Sequence, residues 1–121
     1  MYIRVAGQEE VHVGISQFEK FREAIAQAFN VGGIYLKQHM MAEKLSEAEV
    51  VRWKDAIPPY LDSFMHTTAC GGIISPEACS HMAQELSQLE VDAMGEHDEL
   101  MYQFLNLLKA AADTETILYW A

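Results

Sequence analysis

The sequence predicts a mainly α protein: a single compact domain over residues 1–121, with five or six helices and a small two- or three-stranded β-sheet formed by the termini. Three observations support this fold class. Helix-start signals recur along the chain, apolar residues follow them at helical spacing, and β-branched or aromatic residues are concentrated at both ends. The 121 residues fit one domain, and because half of them are apolar they supply one hydrophobic core.

The pattern of the N-terminal residues predicts a strand, a turn, a second strand or extended arm in which Val11, Val13 and Ile15 share one face, and a first helix. Ile3 and Val5 alternate with more polar neighbours, which is typical of a strand. Ser16 and Glu19 have the spacing of a capping box, in which each side chain satisfies a free amide of the other residue. We therefore expect the first helix to start at Ser16. We expect it to end at Asn30 and the glycines that follow, since these residues adopt the left-handed conformation at low cost.

Three helices are predicted in the middle of the chain. The first covers about residues 34–44, with Met40 on its inward face. Ser46 and Glu49 form a second capping box, which predicts the start of a short helix. Pro59 fits the first turn of the third helix, where a backbone N–H is not needed.

The C-terminal part predicts two helices and a strand. Ser75 and Pro76 form a strong helix start, because serine caps the free amides and proline suits the first helical position. Cys79 lies on the apolar stripe of that helix. A long amphipathic helix then runs to about Asp113. The β-branched and aromatic tail, residues 116–121, is expected to pair with the N-terminal strand.

The charge balance excludes some classes of partner. Asp and Glu number 18 against 8 Lys and Arg, which gives a net charge of −10 and disfavours nucleic acids and anionic membrane surfaces. No apolar run is long enough for a membrane-spanning helix, and no signal peptide is visible. Two cysteines are too few for a disulfide scaffold, so we expect a cytoplasmic protein with reduced thiols. The charge suits a basic protein partner, and the sequence leaves a homo-oligomer open.

Residues 66–79, HTTACGGIISPEAC, contain both cysteines and a glycine pair. The glycines fit the turn of an EF-hand calcium loop in either of two registers. A calcium loop needs clustered oxygen ligands, and here the ligand positions hold mostly Thr, Ala, Gly, His or Cys. Only Glu77 places a carboxylate at a ligand position. The segment is therefore interpreted as a degenerate EF-hand-like loop without calcium.

The same loop also contains residues that suit zinc or redox chemistry. His66, Cys70 and Cys79 supply ligands of the softness that zinc prefers, although their spacing matches no compact zinc motif. The two cysteines are also candidates for reversible pairing, while a reducing compartment opposes a permanent disulfide. Cys79 has a simpler explanation as a core residue. These three residues remain candidates for a metal or redox site, and no cofactor is predicted.

A nucleophilic site is the last alternative for this region. Asp62 and His66 lie four residues apart on a predicted helix, and Cys70 follows four residues later. Their order is that of an orienting acid, a base and a nucleophile. No oxyanion donor is identifiable, and a position at a helix C-terminus explains His66 equally well. His39 is isolated in the sequence and is not assigned to a site.

The loop resembles that of a family of small uncharacterised bacterial proteins, whose pattern is His-Ser-Asp-Cys-Asp-Gly-Glu-Ile-Ser-Pro-Glu-x-Cys. The residues that match the family are Phe21, Arg22, Ile25, Ala26, His66, Cys70, Gly72, Ile74, Ser75, Pro76, Glu77 and Cys79. Three acidic loop residues of the family are replaced here by Ala69, Gly71 and Ile73, and one extra residue follows His66. The resemblance implies a bacterial, cytosolic setting and no particular activity.

The sequence does not disclose a specific activity. It favours a non-enzymatic, acidic intracellular protein-binding or regulatory module, because its charge is strongly negative and no established catalytic motif is present. The alternative is a thiol- or zinc-dependent site, redox or hydrolytic, at His66, Cys70 and Cys79.

Overall fold

The computed structural model of the protein describes residues 1–90 and 92–121. In these two ranges the helices are α1 (Ile15–Ala28), α2 (Gly32–Tyr35), α3 (Glu47–Ala56), α4 (Pro59–Met65), α5 (Pro76–Leu86) and α6 (Asp98–Thr114). The strands are β1 (Tyr2–Val5), β2 (Val11–His12), β3 (Gly72–Ile74) and β4 (Leu118–Trp120). A π-helical turn, Leu36–Met40, continues α2, and a 3₁₀ turn, Gly95–His97, precedes α6.

The predicted fold class is confirmed: helices predominate, and the termini form the centre of a small antiparallel sheet. The strand order is β2-β1-β4-β3, with Ile3 opposite Trp120 and Ile74 opposite Leu118. The sheet has four strands in the described residues, one more than the largest number predicted. The added strand is β3, which lies in the segment interpreted as a turn. It forms because β4 offers a free edge to a segment distant in sequence.

An aromatic cluster joins the helices to the sheet. The ring of Phe64 from α4 lies 5.1 Å from Phe104 of α6 and 5.7 Å from Trp120 of β4. Phe18 of α1 meets the same group, 5.8 Å from Phe64 and 5.7 Å from Trp120. These rings are almost fully buried. Such burial makes the cluster a main source of stability, and it fixes the position of α4 relative to both termini.

The first helix starts differently from the prediction. α1 begins at Ile15, with Gly14 at the N-cap position and no side-chain cap, so the predicted capping box at Ser16 is wrong. The N–H of Phe18 bonds to the carbonyl of Gly14, which places Ser16 inside the first turn. The helix ends at Ala28, and the predicted stop signal lies just beyond it, because Asn30 adopts the left-handed conformation with φ of 64°. The glycines that follow belong to α2.

The middle of the chain contains one correction and one confirmation. The predicted helix over 34–44 is a single α-turn followed by the π-helical turn, so it ends at Met40. A π turn contains more residues than an α turn, and this rotates Met40 outward, where it is 48% exposed. The second capping box is confirmed, because Ser46 and Glu49 exchange both side-chain bonds.

The C-terminal predictions hold closely. Ser75 caps α5 by accepting the N–H of Ala78 at 3.1 Å, and Pro76 occupies the first helical position. α6 ends at Thr114, next to Glu115 in the left-handed conformation. The tail forms β4 as predicted, and it pairs with β1. Within the described residues, no helix is both long enough and apolar enough to cross a membrane.

Candidate functional site

Helix α4 carries the candidate residue Asp62, and His66 follows as its C-cap residue. The N-terminal end of this helix is fixed by a carboxylate from α5. Glu85 is only 9% exposed and accepts the backbone N–H of Leu61 at 2.7 Å and of Tyr60 at 3.3 Å. The first N–H groups of a helix lack partners within the helix and favour a negative charge. Glu85 therefore anchors the start of α4 to α5.

A buried cation from α1 fixes the other end of the same helix. Arg22 is 5% exposed, and its Nη1 donates to the carbonyl oxygens of Thr67 at 2.6 Å and Phe64 at 3.3 Å. The guanidinium also lies 5.1 Å from the ring centre of Phe18. The carbonyl groups at a helix C-terminus carry partial negative charge and favour a cation. Opposite charges from two helices thus hold both ends of α4.

Asp62 and His66 meet as their spacing predicted, and two further side chains join them. Nε2 of His66 lies 3.0 Å from Oδ1 of Asp62. The same oxygen accepts the indole N–H of Trp53, on α3, at 2.6 Å. Nδ1 of His66 lies 3.0 Å from Nε2 of His39, on the π-helical turn. We refer to Trp53, Asp62, His66 and His39 as the histidine cluster.

The contacts of the cluster assign its protons. A hydrogen bond to the Asp62 carboxylate requires a proton on Nε2 of His66, so Nδ1 of a neutral His66 accepts the N–H of His39. Nδ1 of His39 is then left as a basic nitrogen. Partial burial lowers the pKa of His39 below its usual value, and the nearby His66 and Arg22 lower it further. The neutral form of His39 is therefore favoured in the folded protein.

Aromatic packing fixes the two imidazole rings. Tyr35 is buried, and its ring centre lies 4.7 Å from that of His39. The Trp53 ring lies 5.5 Å from His66. An Asp-His-His series of this kind can take up and hold a proton. In the described part of the chain, however, no hydroxyl or thiol is hydrogen-bonded to either imidazole, so the cluster has no nucleophile in place.

Cys70, the candidate nucleophile, lies outside the histidine cluster. It is exposed, and its backbone N–H donates to the hydroxyl of Thr68 at 3.1 Å. Over the ranges 1–90 and 92–121, Cys70 makes no hydrogen bond to His66 or Asp62. The structure thus brings together two of the three residues of the predicted series and adds His39, which the sequence left isolated.

Cys79 is a core residue of α5. It is 0% exposed, and its Sγ lies 3.8 Å from the carbonyl oxygen of Ile74. Burial raises the pKa of the Cys79 thiol to about 11, so the unreactive protonated form dominates near neutrality. Cys70 and Cys79 are both free thiols. Among the residues that the structure describes, no three His, Cys, Asp or Glu side chains converge as metal ligands, so His66, Cys70 and Cys79 form no preformed zinc site.

The second glycine of the pair in the loop allows close packing against the C-terminal strand. Gly72 is the first residue of β3 and lies opposite Trp120. A Cβ atom at Gly72 would overlap three ring atoms of the Trp120 indole. The indole N–H of Trp120 donates to the carbonyl oxygen of Thr68 at 3.2 Å. The part of the loop that resembles an EF-hand is therefore built around Trp120.

The acidic residues are distributed unevenly along the chain. Residues 55–108 contain no Lys or Arg and nine carboxylates: Asp55, Asp62, Glu77, Glu85, Glu90, Asp92, Glu96, Asp98 and Glu99. Seven of the eight Lys and Arg residues lie in the range 1–54. Both ion pairs between Lys or Arg and a carboxylate in the described residues, Arg4–Glu10 and Lys37–Glu49, also lie in that N-terminal range. The carboxylates of 55–108 therefore have no Lys or Arg in their own segment, and the contacts with histidine there are Asp62–His66 at 3.0 Å and Glu96–His97 at 3.6 Å in the described residues.

An apolar groove lies in this acidic half, where the end of α5 approaches the start of α6. Its volume is about 420 Å³, within the usual range of binding pockets. Its apolar lining consists of Leu86, Leu89, Met94, Met101, Tyr102 and Leu105. Three carboxylates also line it, namely Glu90, Asp92 and Asp98. We refer to this feature as the acidic groove.

Several of these features were missed from the sequence, although some left a signal. Arg22 and Glu85 are charged residues at buried positions of otherwise apolar helix faces, a pattern that marks a charge with a specific partner. The absence of Lys and Arg from 55–108 is visible in the sequence itself. His39 left no signal, because its contact with His66 joins segments 27 residues apart.

Comparison with known proteins gives no match: no family model, no curated protein and no solved structure is similar to this chain. The resemblance of the 66–79 loop to a bacterial family therefore stays a prediction.

Proposed function

We propose that this protein is a non-enzymatic, acidic protein-binding module that recognises a basic partner. The observation that carries the proposal is the segment 55–108, in which nine carboxylates are present without a Lys or Arg. Most of these carboxylates are exposed, among them Glu90, Asp92 and Glu96. A surface of one sign attracts partners of the opposite sign and speeds their association.

The lack of internal neutralisation supports this proposal. In the N-terminal half, Lys37 and Glu49 pair at 2.8 Å, and this contact, together with the hydrogen bonds between Glu49 and Ser46, lowers the pKa of Glu49 to about 2. Carboxylates without such partners repel one another, which weakens the folded state. A basic partner would relieve that repulsion. This loss of stability through repulsion is consistent with a surface used for binding. A surface that only contacts water does not require charge of a single sign.

The proposal is tested with two variants of equal net charge. The test variant neutralises three exposed carboxylates of the acidic half: Glu90→Gln, Asp92→Asn and Glu96→Gln. The control neutralises three exposed carboxylates outside it: Glu9→Gln, Glu43→Gln and Asp113→Asn. Binding of a fluorescent Lys-rich peptide and of a Glu-rich peptide of the same length is measured by anisotropy over a range of salt concentrations.

We expect the wild type and the control to bind the Lys-rich peptide with similar affinity, and the test variant to bind it several-fold more weakly. Affinity should fall with salt for the wild type and less steeply for the test variant, because fewer charges take part. Equal weakening in both variants would mean that net charge alone matters, and the proposed surface would be wrong. Binding of the Glu-rich peptide would contradict the proposal as a whole.

The thiol or zinc alternative rests on the exposure of Cys70 and is tested separately. Under the binding-module proposal, Cys70 reacts with iodoacetamide as an ordinary thiol, while Cys79 reacts only after unfolding because it is buried. Native mass spectrometry should then give the mass of the chain alone. A bound zinc ion lost in His66→Ala, or alkylation of Cys70 governed by a pKa well below its normal value, would favour the alternative.

A further inference from the structure

We propose that the acidic groove binds an amphipathic helix whose apolar face is flanked by Lys or Arg. This inference rests on the proposed function and specifies which surface of the module and which class of partner are involved. Three properties of the groove carry it: the apolar lining, the helices and connection that supply its described residues, and the acidic side chains in the lining.

The lining of the groove suits apolar side chains of a partner. Leu86, Met94 and Met101 form a buried floor, with exposures of 2%, 6% and 8%. Tyr102 stands at the edge and is 67% exposed. Methionine side chains are flexible and polarizable, so they adapt to different apolar partners. An exposed tyrosine beside an apolar depression is a frequent anchor in protein interfaces.

The secondary structure around the groove favours a helical partner. Its described residues come from α5, the connection after it and α6, and none of these residues belongs to a strand. A partner that binds as an added strand needs free backbone groups at a sheet edge, and the edges of this sheet are β2 and β3. The groove instead offers side chains between helix ends. A helix with apolar residues at positions i, i+3, i+4 and i+7 fits this type of site.

The charges around the groove define the polar residues of that helix. Glu90 and Asp92 are exposed on the connection after α5, and Asp98 lies at the start of α6. Asp98 also accepts the backbone N–H of Met94 at 3.1 Å, which fixes the shape of this side. The described residues that line the groove include these three carboxylates and no Lys or Arg, so Lys or Arg flanking the apolar face of the partner would find partners of opposite charge there.

The same charge argues against a second copy of the chain as the occupant. With a net charge of −10, two copies repel each other. A second copy could also offer the exposed apolar pair of α3, Val50 and Val51. That helix contains carboxylates as well as Lys and Arg, so it is not a purely basic partner for the acidic groove. We therefore expect a basic helix and not a second copy in the groove, and the test below distinguishes the two.

The test uses three synthetic peptides and the full chain. The first is an amphipathic Leu/Lys helix, the second is its scramble with the same composition, and the third is the same amphipathic pattern with Glu in place of Lys. Affinities are measured by isothermal titration calorimetry, and binding sites are mapped by amide chemical shifts. We expect tight binding of the first peptide, weaker binding of the second and none of the third, with the largest shifts around Met101 and Tyr102.

Two variants locate the binding site. Tyr102→Ser removes the exposed anchor, and we expect it to weaken binding of the amphipathic Leu/Lys peptide by about tenfold or more. Ile73→Ser is the matched control, because Ile73 is similarly exposed, at 69%, but lies on β3 away from the groove. We expect this control to bind like the wild type. Circular dichroism checks the fold of both, and the Glu90→Gln, Asp92→Asn double variant replaces Tyr102→Ser if the latter is unfolded.

The outcomes separate the two proposals. If the scrambled peptide binds as well as the amphipathic one and Tyr102→Ser has no effect, the groove proposal is wrong while a basic partner stays supported. If neither Lys peptide binds better than the Glu peptide, the proposed function itself fails. A dimer in sedimentation velocity that Tyr102→Ser disrupts would assign the groove to a second copy and overturn the inference.

Discussion

Single residues determine how α4 and its neighbours present the histidine cluster. Glu85 and Arg22 neutralise the two ends of α4, and Asp62 connects His66 with Trp53. Each of these contacts places a charge where burial or a helix end would otherwise leave a polar group unpaired. Loss of one partner therefore costs more than the net contribution of the bond.

The first prediction concerns His39 and the stability of the protein in mild acid. The folded-state pKa of His39 lies below its ordinary value of 6.5, so the unfolded chain takes up a proton first. The contribution of His39 to stability is present above about pH 6.5 and is lost as the pH falls through its folded-state pKa. We expect a lower urea midpoint at about pH 5.5 than at about pH 7.5.

Two variants isolate this effect. His39→Gln should reduce the loss between the two pH values, and His12→Gln should leave it unchanged, since His12 is exposed and remote from the cluster. Glu49 does not affect the comparison between the two pH values, because its contribution to folding stability is lost only between about pH 4.5 and about pH 2. An acid response that is the same in His39→Gln and in the wild type would contradict this account.

The second prediction concerns Glu85. In Glu85→Ala, the backbone N–H groups of Tyr60 and Leu61 lose their acceptor inside the protein, and we expect a loss of about 1–3 kcal/mol in unfolding free energy. Glu85→Gln keeps one acceptor oxygen and should cost less. Gln84→Ala, an exposed change on the same helix, is the control in urea titrations. Equal stability of the two Glu85 variants and the control would show that α4 does not depend on this carboxylate.

At the scale of elements, local signals predicted some helix starts well and others poorly. Ser75 and Ser46 cap their helices as expected, because a capping contact involves residues only three apart. The prediction that Ser16 caps α1 is wrong, because the helix begins at Ile15 with Gly14 at the N-cap position. Strand β3 was not predictable, since a segment of three residues extends only when β4 pairs with it.

The third prediction tests the contact between β3 and β4. Gly72→Ala places a methyl group in the space occupied by the Trp120 indole, and we expect a loss of about 1–3 kcal/mol from overpacking. Gly71→Ala is the matched control. A Cβ at Gly71 would lie 3.5 Å from the carbonyl oxygen of Trp120, which is an ordinary contact. Thermal unfolding of both variants tests this prediction. An unchanged stability of Gly72→Ala would contradict it and would mean that the indole can move aside.

At the scale of the whole molecule, the C-terminal strand holds the fold together. β4 lies between β1 and β3, and Leu118 and Trp120 are 0% and 1% exposed. The fourth prediction is that deletion of residues 116–121 leaves the chain largely unfolded. Loss of a buried Trp alone costs about 3–5 kcal/mol, a large part of the usual stability of a domain.

Circular dichroism and urea unfolding measure this effect. Ile117→Ser is the control, because Ile117 belongs to the same tail but is 44% exposed, so this change should alter stability little. A deletion variant with native helix content and a cooperative transition would show that the helices fold without the sheet.

The sequence by itself determined the helical fold class, the terminal strands, the capped starts of α3 and α5, and the negative charge. These depend on composition or on residues within one helical turn of each other. Only the tertiary structure decided the fourth strand, the histidine cluster, the two anchors of α4 and the acidic groove. The contact of Arg22 with Thr67 spans 45 residues, and that of Glu85 with Leu61 spans 24. Packing of the whole chain brings such pairs together, so no local pattern encodes them.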